Sequence, residues 1–280
     1  MSIRSELRTL IRLVPHLTAT LITDANLNLL LDKAQIAIGL DGRALPKNEQ
    51  VNTVASQAEY VVSGASPVLT DNDFLGIDLV GGGVLFYDGT NWRGPQENFV
   101  PKTREWLDKN RPGWRTASSA ATPLYWYCDQ GVETTNLVVG LYNKPTSATT
   151  DGLWIHYLSR GVLMSADTHY PFTGSITQLR YLEPYDILFV YWCVEYINRF
   201  ILSNHDQANL FKQLYEIGAQ AMANRLPLEE HLLREPMLPD TNRFAGAWGL
   251  GGIGGRRRGI DWVTRRSSIG CLRGSLEATR

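Results

Sequence analysis

Apolar residues recur at helical spacing at both ends of this chain and at alternate positions through its middle, and only a mixed architecture accommodates that switch. Ile3, Leu7, Leu10, Ile11 and Val14 share one side of a helix over residues 2–14, Arg4, Arg8 and Arg12 line the other, and Pro15 ends it. Thr23-Asp24 offers an N-cap to a second helix that carries Leu27, Leu30, Leu31, Ala34 and Ile38 before Gly39 and Gly42. From Val51 to Arg160 the pattern changes. Ala58–Val62, Phe74–Val80, Gly83–Tyr87, Leu124–Cys128, Asn136–Tyr142 and Leu153–Tyr157 read as strands separated by turn pairs such as Asp88-Gly89 and Asp151-Gly152, with one short helix over Lys102–Asn110. Helical spacing returns at Pro184 through Ile187, Val190, Tyr191, Val194, Ile197 and Ile201. A last helix over Asp206–Ala223 carries Leu210, Phe211, Leu214, Ile217 and Met222.

The expectation is an α+β chain. The helices of the two ends pair as a four-helix bundle, an antiparallel β-sandwich or barrel is inserted between them, and an extended arm follows. In residue numbers this gives N-terminal bundle helices over 1–48, the β-rich insertion over 49–165, C-terminal bundle helices over 166–235 and the arm over 236–280.

The arm departs most from globular composition. Residues 241–280 hold nine Gly and eight Arg, and the run Gly249-Leu-Gly-Gly-Ile-Gly-Gly255 before Arg256-Arg257-Arg258 has neither a helix nor a strand period. Such a segment orders only against a surface, whether that of its own subunit or that of a neighbour. Charge is divided in the same place. The chain has 27 Lys and Arg against 28 Asp and Glu, but residues 241–280 are net +6, leaving 19 basic against 26 acidic residues in the first 240. All eight arm cations are Arg, whose planar fork suits carboxylates as well as phosphates.

Several chemistries find no footing. No apolar run reaches the length of a membrane span, with Ile187–Ile201 broken by Glu195, Asn198 and Arg199, and the first residues lack the apolar core of a secretory signal. Cys128, Cys193 and Cys271 are too few and too far apart for a disulfide framework or a zinc site. Gly249–Gly254 matches G-x-G-x-x-G but neither follows a strand nor opens a helix. His16, His156, His169, His205 and His231 are scattered, Glu229-Glu230-His231 reads as a solvated helix end, and Asp167 and His169 sit in a stretch suited to a turn or cap. No catalytic set, cofactor or metal is expected.

An ordered series of segments resembles the adaptor, or gateway, proteins of the head-to-tail connector of tailed bacteriophages. Gln57-Ala-Glu-Tyr60 resembles the family's Q-x-x-Y, and Pro112-Gly-Trp114 with Thr122-Pro-Leu-Tyr125 its P-G-W and x-P-x-x-Y. Leu141-Tyr-Asn-Lys-Pro145 resembles its L-Y-P-x-P turn, with Asn143 in place of the usual small residue or Pro. Trp154–Tyr157, the stretch around Asp167 and Pro171, the helix from Pro184, and Ala208 with Tyr215-Glu216 follow in the family's order, so the similarity runs over residues 22–218. By residue type alone Trp114, Tyr125 and Trp126 read as core aromatics.

The resemblance implies a virion protein with no enzymatic activity. Assembled in the host cytoplasm, it forms a dodecameric ring at the head-tail junction, between the portal and a downstream tail, nozzle or stopper protein. Genomic DNA passes through the ring without sequence-specific binding, and the acidic body suits such a channel. The arm is then the portal-docking element, with Arg256, Arg257, Arg258, Arg265 and Arg266 as charge contacts and Trp248, Ile260 and Trp262 as apolar anchors. Three other readings stay open: another connector or tail-tube component, a nucleic-acid-binding module using the arm's Arg with Trp248 and Trp262 as stacking platforms, and, on composition alone, a hydrolase.

Overall fold

A computed structural model describes residues 2–14, 17–131 and 136–234 of the chain, with side chains to residue 224. Two helices open it, α1 (Arg4–Arg12) and α2 (Asp24–Asp41). Thr23 caps α2 as the sequence suggests, its hydroxyl accepting from the Asn26 N–H at 3.3 Å. The N-terminus of α1 is satisfied from a distance. The N–H groups of Arg4 and Ser5 donate to the carbonyls of His169 and Asp167, and Arg8 pairs with the Asp167 carboxylate at 2.8 Å. Asp167 and His169 thus lie in a loop that caps a helix.

Nine strands follow: β1 (Pro46–Thr53), β2 (Glu59–Ser63), β3 (Phe74–Ile77), β4 (Val84–Tyr87), β5 (Trp92–Arg93), β6 (Val100–Pro101), β7 (Tyr125–Gln130), β8 (Leu137–Tyr142) and β9 (Thr149–Ser159). A third helix, α3 (Arg104–Asn110), lies between β6 and β7. One sheet has the order β1-β9-β4-β5, with β3 also on β9; the other has the order β2-β8-β7-β6. Between the sheets lies one apolar core, with Val84, Phe86, Leu153, Ile155 and Tyr157 from the first facing Tyr60, Val62, Trp126, Val139 and Leu141 from the second. After a 3-10 turn at Arg180–Tyr185 come α4 (Ile187–Phe200) and α5 (His205–Arg234).

The expected four-helix bundle with an antiparallel sandwich or barrel insertion does not describe this molecule. Among the described residues it is α+β with five helices and two open sheets. Barrel closure fails because β1 and β5 bound one sheet and β2 and β6 the other, with no ladder joining them among the described residues, and the second sheet is mixed because β6 runs parallel to β7. The helices form no separate bundle because α2 is apolar on more than one side. It packs against α4 and α5, and also against β3 and β9. A Cβ at Gly39 would stand 3.0 Å from Leu75 and 3.4 Å from the Ser159 carbonyl, and Gln35 donates to the carbonyls of Arg160 and Val162 at 2.9 and 3.1 Å. Helix α3 covers the outer face of the second sheet through Leu107, which joins Trp114, Tyr127 and Val138 in a small core.

That outer face is built around one glycine. Tyr127, Gly140 and Glu59 stand in register on β7, β8 and β2, and the Tyr127 ring lies across Gly140 so that its hydroxyl donates to Glu59 on the far strand at 2.7 Å. Trp114 meets the same ring edge-on at 5.4 Å.

On the first sheet, His156 lies between the Trp154 ring, 5.0 Å away, and the turn at Gly82. Burial lowers its pKa, against a smaller opposing effect of Asp78. Below its ordinary value near 6.5 the unfolded chain therefore binds more protons at this residue than the folded one, so the stability it contributes is present above that pH and lost as pH falls. Thermal melts at pH 7 and pH 5 are expected to show a larger drop for the wild type than for His156→Gln. Equal drops would mean that His156 is not the titrating group.

Candidate functional site

The surface feature that its own fold leaves unexplained lies on α5. Its inner face is set by Ala208, Tyr215, Ala219 and Met222, all buried, with Phe211 half-buried against Tyr191 at 6.1 Å. Three fastenings fix the helix's rotation. The Tyr215 hydroxyl donates to Asp41 at the end of α2 at 2.8 Å, Met222 fills the space over Gly42, and Leu188 of α4 occupies the space that a side chain at Gly218 would need. Arg199 ties the α4–α5 corner, pairing with Glu195 at 2.6 Å and donating to Asn209 at 3.2 Å.

With that rotation fixed, Leu210, Leu214 and Ile217 point to solvent. They are spaced i, i+4, i+7 and so form one stripe, in which Ile217 is 69% and Leu210 53% exposed. At the helix's N-terminal end the last residue of α4 and the turn after it add Phe200, Ile201 and Leu202, all exposed, Phe200 by 64%. Isolated exposed leucines are ordinary, but a straight stripe on a helix whose opposite face is already buried is a candidate contact surface. The sequence gives Leu210, Phe211, Leu214, Ile217 and Met222 as the apolar residues of this helix without dividing them between faces. In fact α5 carries two apolar stripes on different sides. The signal was in the sequence: Ala208, Phe211, Tyr215, Ala219 and Met222 already make a full inner stripe without the other three.

The site residues expected from sequence, Trp248, Arg256, Arg257, Arg258, Ile260, Trp262, Arg265 and Arg266, lie outside the described residues, as does the G-x-G-x-x-G run. Of the aromatics in the motif series, Trp126 is buried between the sheets and Trp114 in the small outer core, while Tyr125 is half-buried. Cys193 is buried in the helix layer and Cys128 is partly buried on β7. Among the described residues no group of three His, Cys, Asp or Glu could hold a metal ion, and no helix is long and apolar enough to cross a membrane. No protein-family model matches the chain, and no curated protein matches it in sequence.

Proposed function

We propose that the chain is a structural adaptor of the phage head-to-tail connector type, in which copies assemble side by side into a ring through the outer face of α5 and the arm beyond residue 235 reaches the portal. The observation that carries this reading is the solvent-facing stripe Leu210, Leu214 and Ile217 on a helix already packed on its other side. A closed ring needs a surface on each subunit that its own fold does not use. The ordered series of motifs over residues 22–218 supports the same reading, as does the acidity of the first 240 residues, which suits a wall that DNA slides past.

The arm gives the reading its function. Extended, its 45 or so residues span at most about 150 Å, enough to cross a neighbouring subunit. Ordering it costs roughly 1 kcal/mol or more per residue, so charge contacts from Arg256, Arg257, Arg258, Arg265 and Arg266 need apolar anchors such as Trp248, Ile260 and Trp262. Truncation after Pro239 is expected to abolish attachment to purified portals, and exchanging the five Arg for Lys to weaken it, as bidentate pairing would be lost. Full attachment and infectivity of the truncated form would refute the arm's role.

A further inference from the structure

The edge of the second sheet carries a cleft of about 430 Å³ lined by Asn98, Val100, Lys102, Trp106, Leu124 and Tyr125. We infer that this cleft, with Lys102 and with Arg111, whose side chain hydrogen-bonds Tyr125 of the lining, binds single-stranded nucleic acid, one unpaired base entering between the aromatic and aliphatic walls and the adjoining phosphates meeting the cations. This goes beyond the ring reading and does not rest on it, since a single subunit holds the whole site.

Geometry and charge together carry the inference. The cleft joins flat ring surface to positive charge: the Lys102 ammonium stands 4.6 Å from the centre of the Trp106 ring and 5.9 Å from that of Tyr125. Trp106 and Tyr125 meet at 5.2 Å and 71°, making a corner, and Tyr125 is backed by Tyr142 at 6.0 Å and 6°, so these walls are braced from behind. Leu124 is exposed at the mouth, and the Asn98 amide offers both a donor and an acceptor to a base edge.

The charge balance here also opposes that of the body. Residues 98–116 hold five cations against Glu105 and Asp108, within a first 240 residues that are net −7. Arg104 and Arg115 are paired with Asp129 and Asp108. Lys102, Lys109 and Arg111 have no carboxylate partner among the described residues, and the last two are exposed. Cations alone would attract any anion, an acidic peptide included. Cations set beside ring faces in a cleft of this size favour an unpaired base with its phosphate, because stacking contributes for any base and needs no sequence readout.

The test uses the full chain, arm included, so that the arm's charge is common to every sample. A fluorescent twelve-nucleotide oligo-dT, a duplex of equal length and polyglutamate are titrated against the wild type, Lys102→Gln/Arg111→Gln and Trp106→Leu, at three salt concentrations. Binding of the single strand is expected to weaken about tenfold in the charge variant, with a salt slope shallower by about 1.4, the release of two phosphate contacts at roughly 0.7 each. Trp106→Leu should weaken it roughly fivefold or more with the slope unchanged. Should Trp106→Leu fail to melt cooperatively, the charge variant decides alone. The inference is overturned if the charge variant, melting like the wild type, binds the single strand as the wild type does, or if the duplex or polyglutamate binds more tightly and responds to the same substitutions.

Discussion

Replacing Gly140 by alanine is expected to destabilise the chain by about 3 kcal/mol or more. A Cβ at this position would stand 2.0 Å from the Tyr127 ring, and the ring cannot move aside without breaking its bond to Glu59 and its contact with Trp114. Tyr127 is 1% exposed, so its displaced hydroxyl would be buried without a partner or would drag the small core open. For a chain of this size the loss corresponds to a fall in melting temperature on the order of 6–12 °C. A double-mutant cycle separates this cause from a general aversion of β8 to side chains. In a Tyr127→Ala background Gly140→Ala should cost little, because the ring it strikes is gone. Equal cost in both backgrounds would contradict the packing described.

Leu214→Glu with Ile217→Glu is expected to leave the folded subunit intact and to abolish its assembly. Both side chains are exposed, so charge there costs the isolated subunit little, while two carboxylates brought into each copy-to-copy interface lose their hydration without a partner. An interface of standard size buries about 800 Å² on each partner, and an unpaired buried charge at its centre costs several kcal/mol, enough to reduce association by a factor of a thousand or more. Melting within a degree or two of the wild type, together with loss of every species above the monomer, is the expected pair of results. Exchange of Gln213 and Gln220, which lie beside the stripe, for Glu serves as the control for added charge alone.

How far the sequence foretold this molecule depends on where each element's burial originates. The N-cap at Thr23, the turn at Asp88-Gly89 and the cores of β2, β4, β7 and β8 were readable because their signals are local, a capping hydroxyl or an alternating run. β1 was not, since Pro46–Thr53 is polar along most of its length and buries only Val51 and Thr53; pairing with β9 makes it a strand. β5 and β6, at two residues each, carry no period at all. In α4 the sequence is apolar nearly all round, so the predicted stripe admitted Ile187 and Ile201, which are exposed, and passed over Leu188, Phe189 and Cys193, which are buried. The same ambiguity in α5 hid the candidate site. The rotation of a helix with two apolar sides is set by partners distant in sequence, here Asp41, Gly42 and Leu188. Periodicity finds the stripes; only the tertiary contacts say which one faces out.

The central claim is that this chain works as a ring of identical subunits joined through the outer face of α5 and seated on a portal. Electron microscopy of the native particle, reconstructed around the density occupied by this chain, tests it most directly. The account predicts a closed ring of about twelve copies beside the portal, with Leu210, Leu214 and Ile217 inside each subunit contact. A single copy, a twofold dimer, or a ring in which this stripe faces solvent would contradict it.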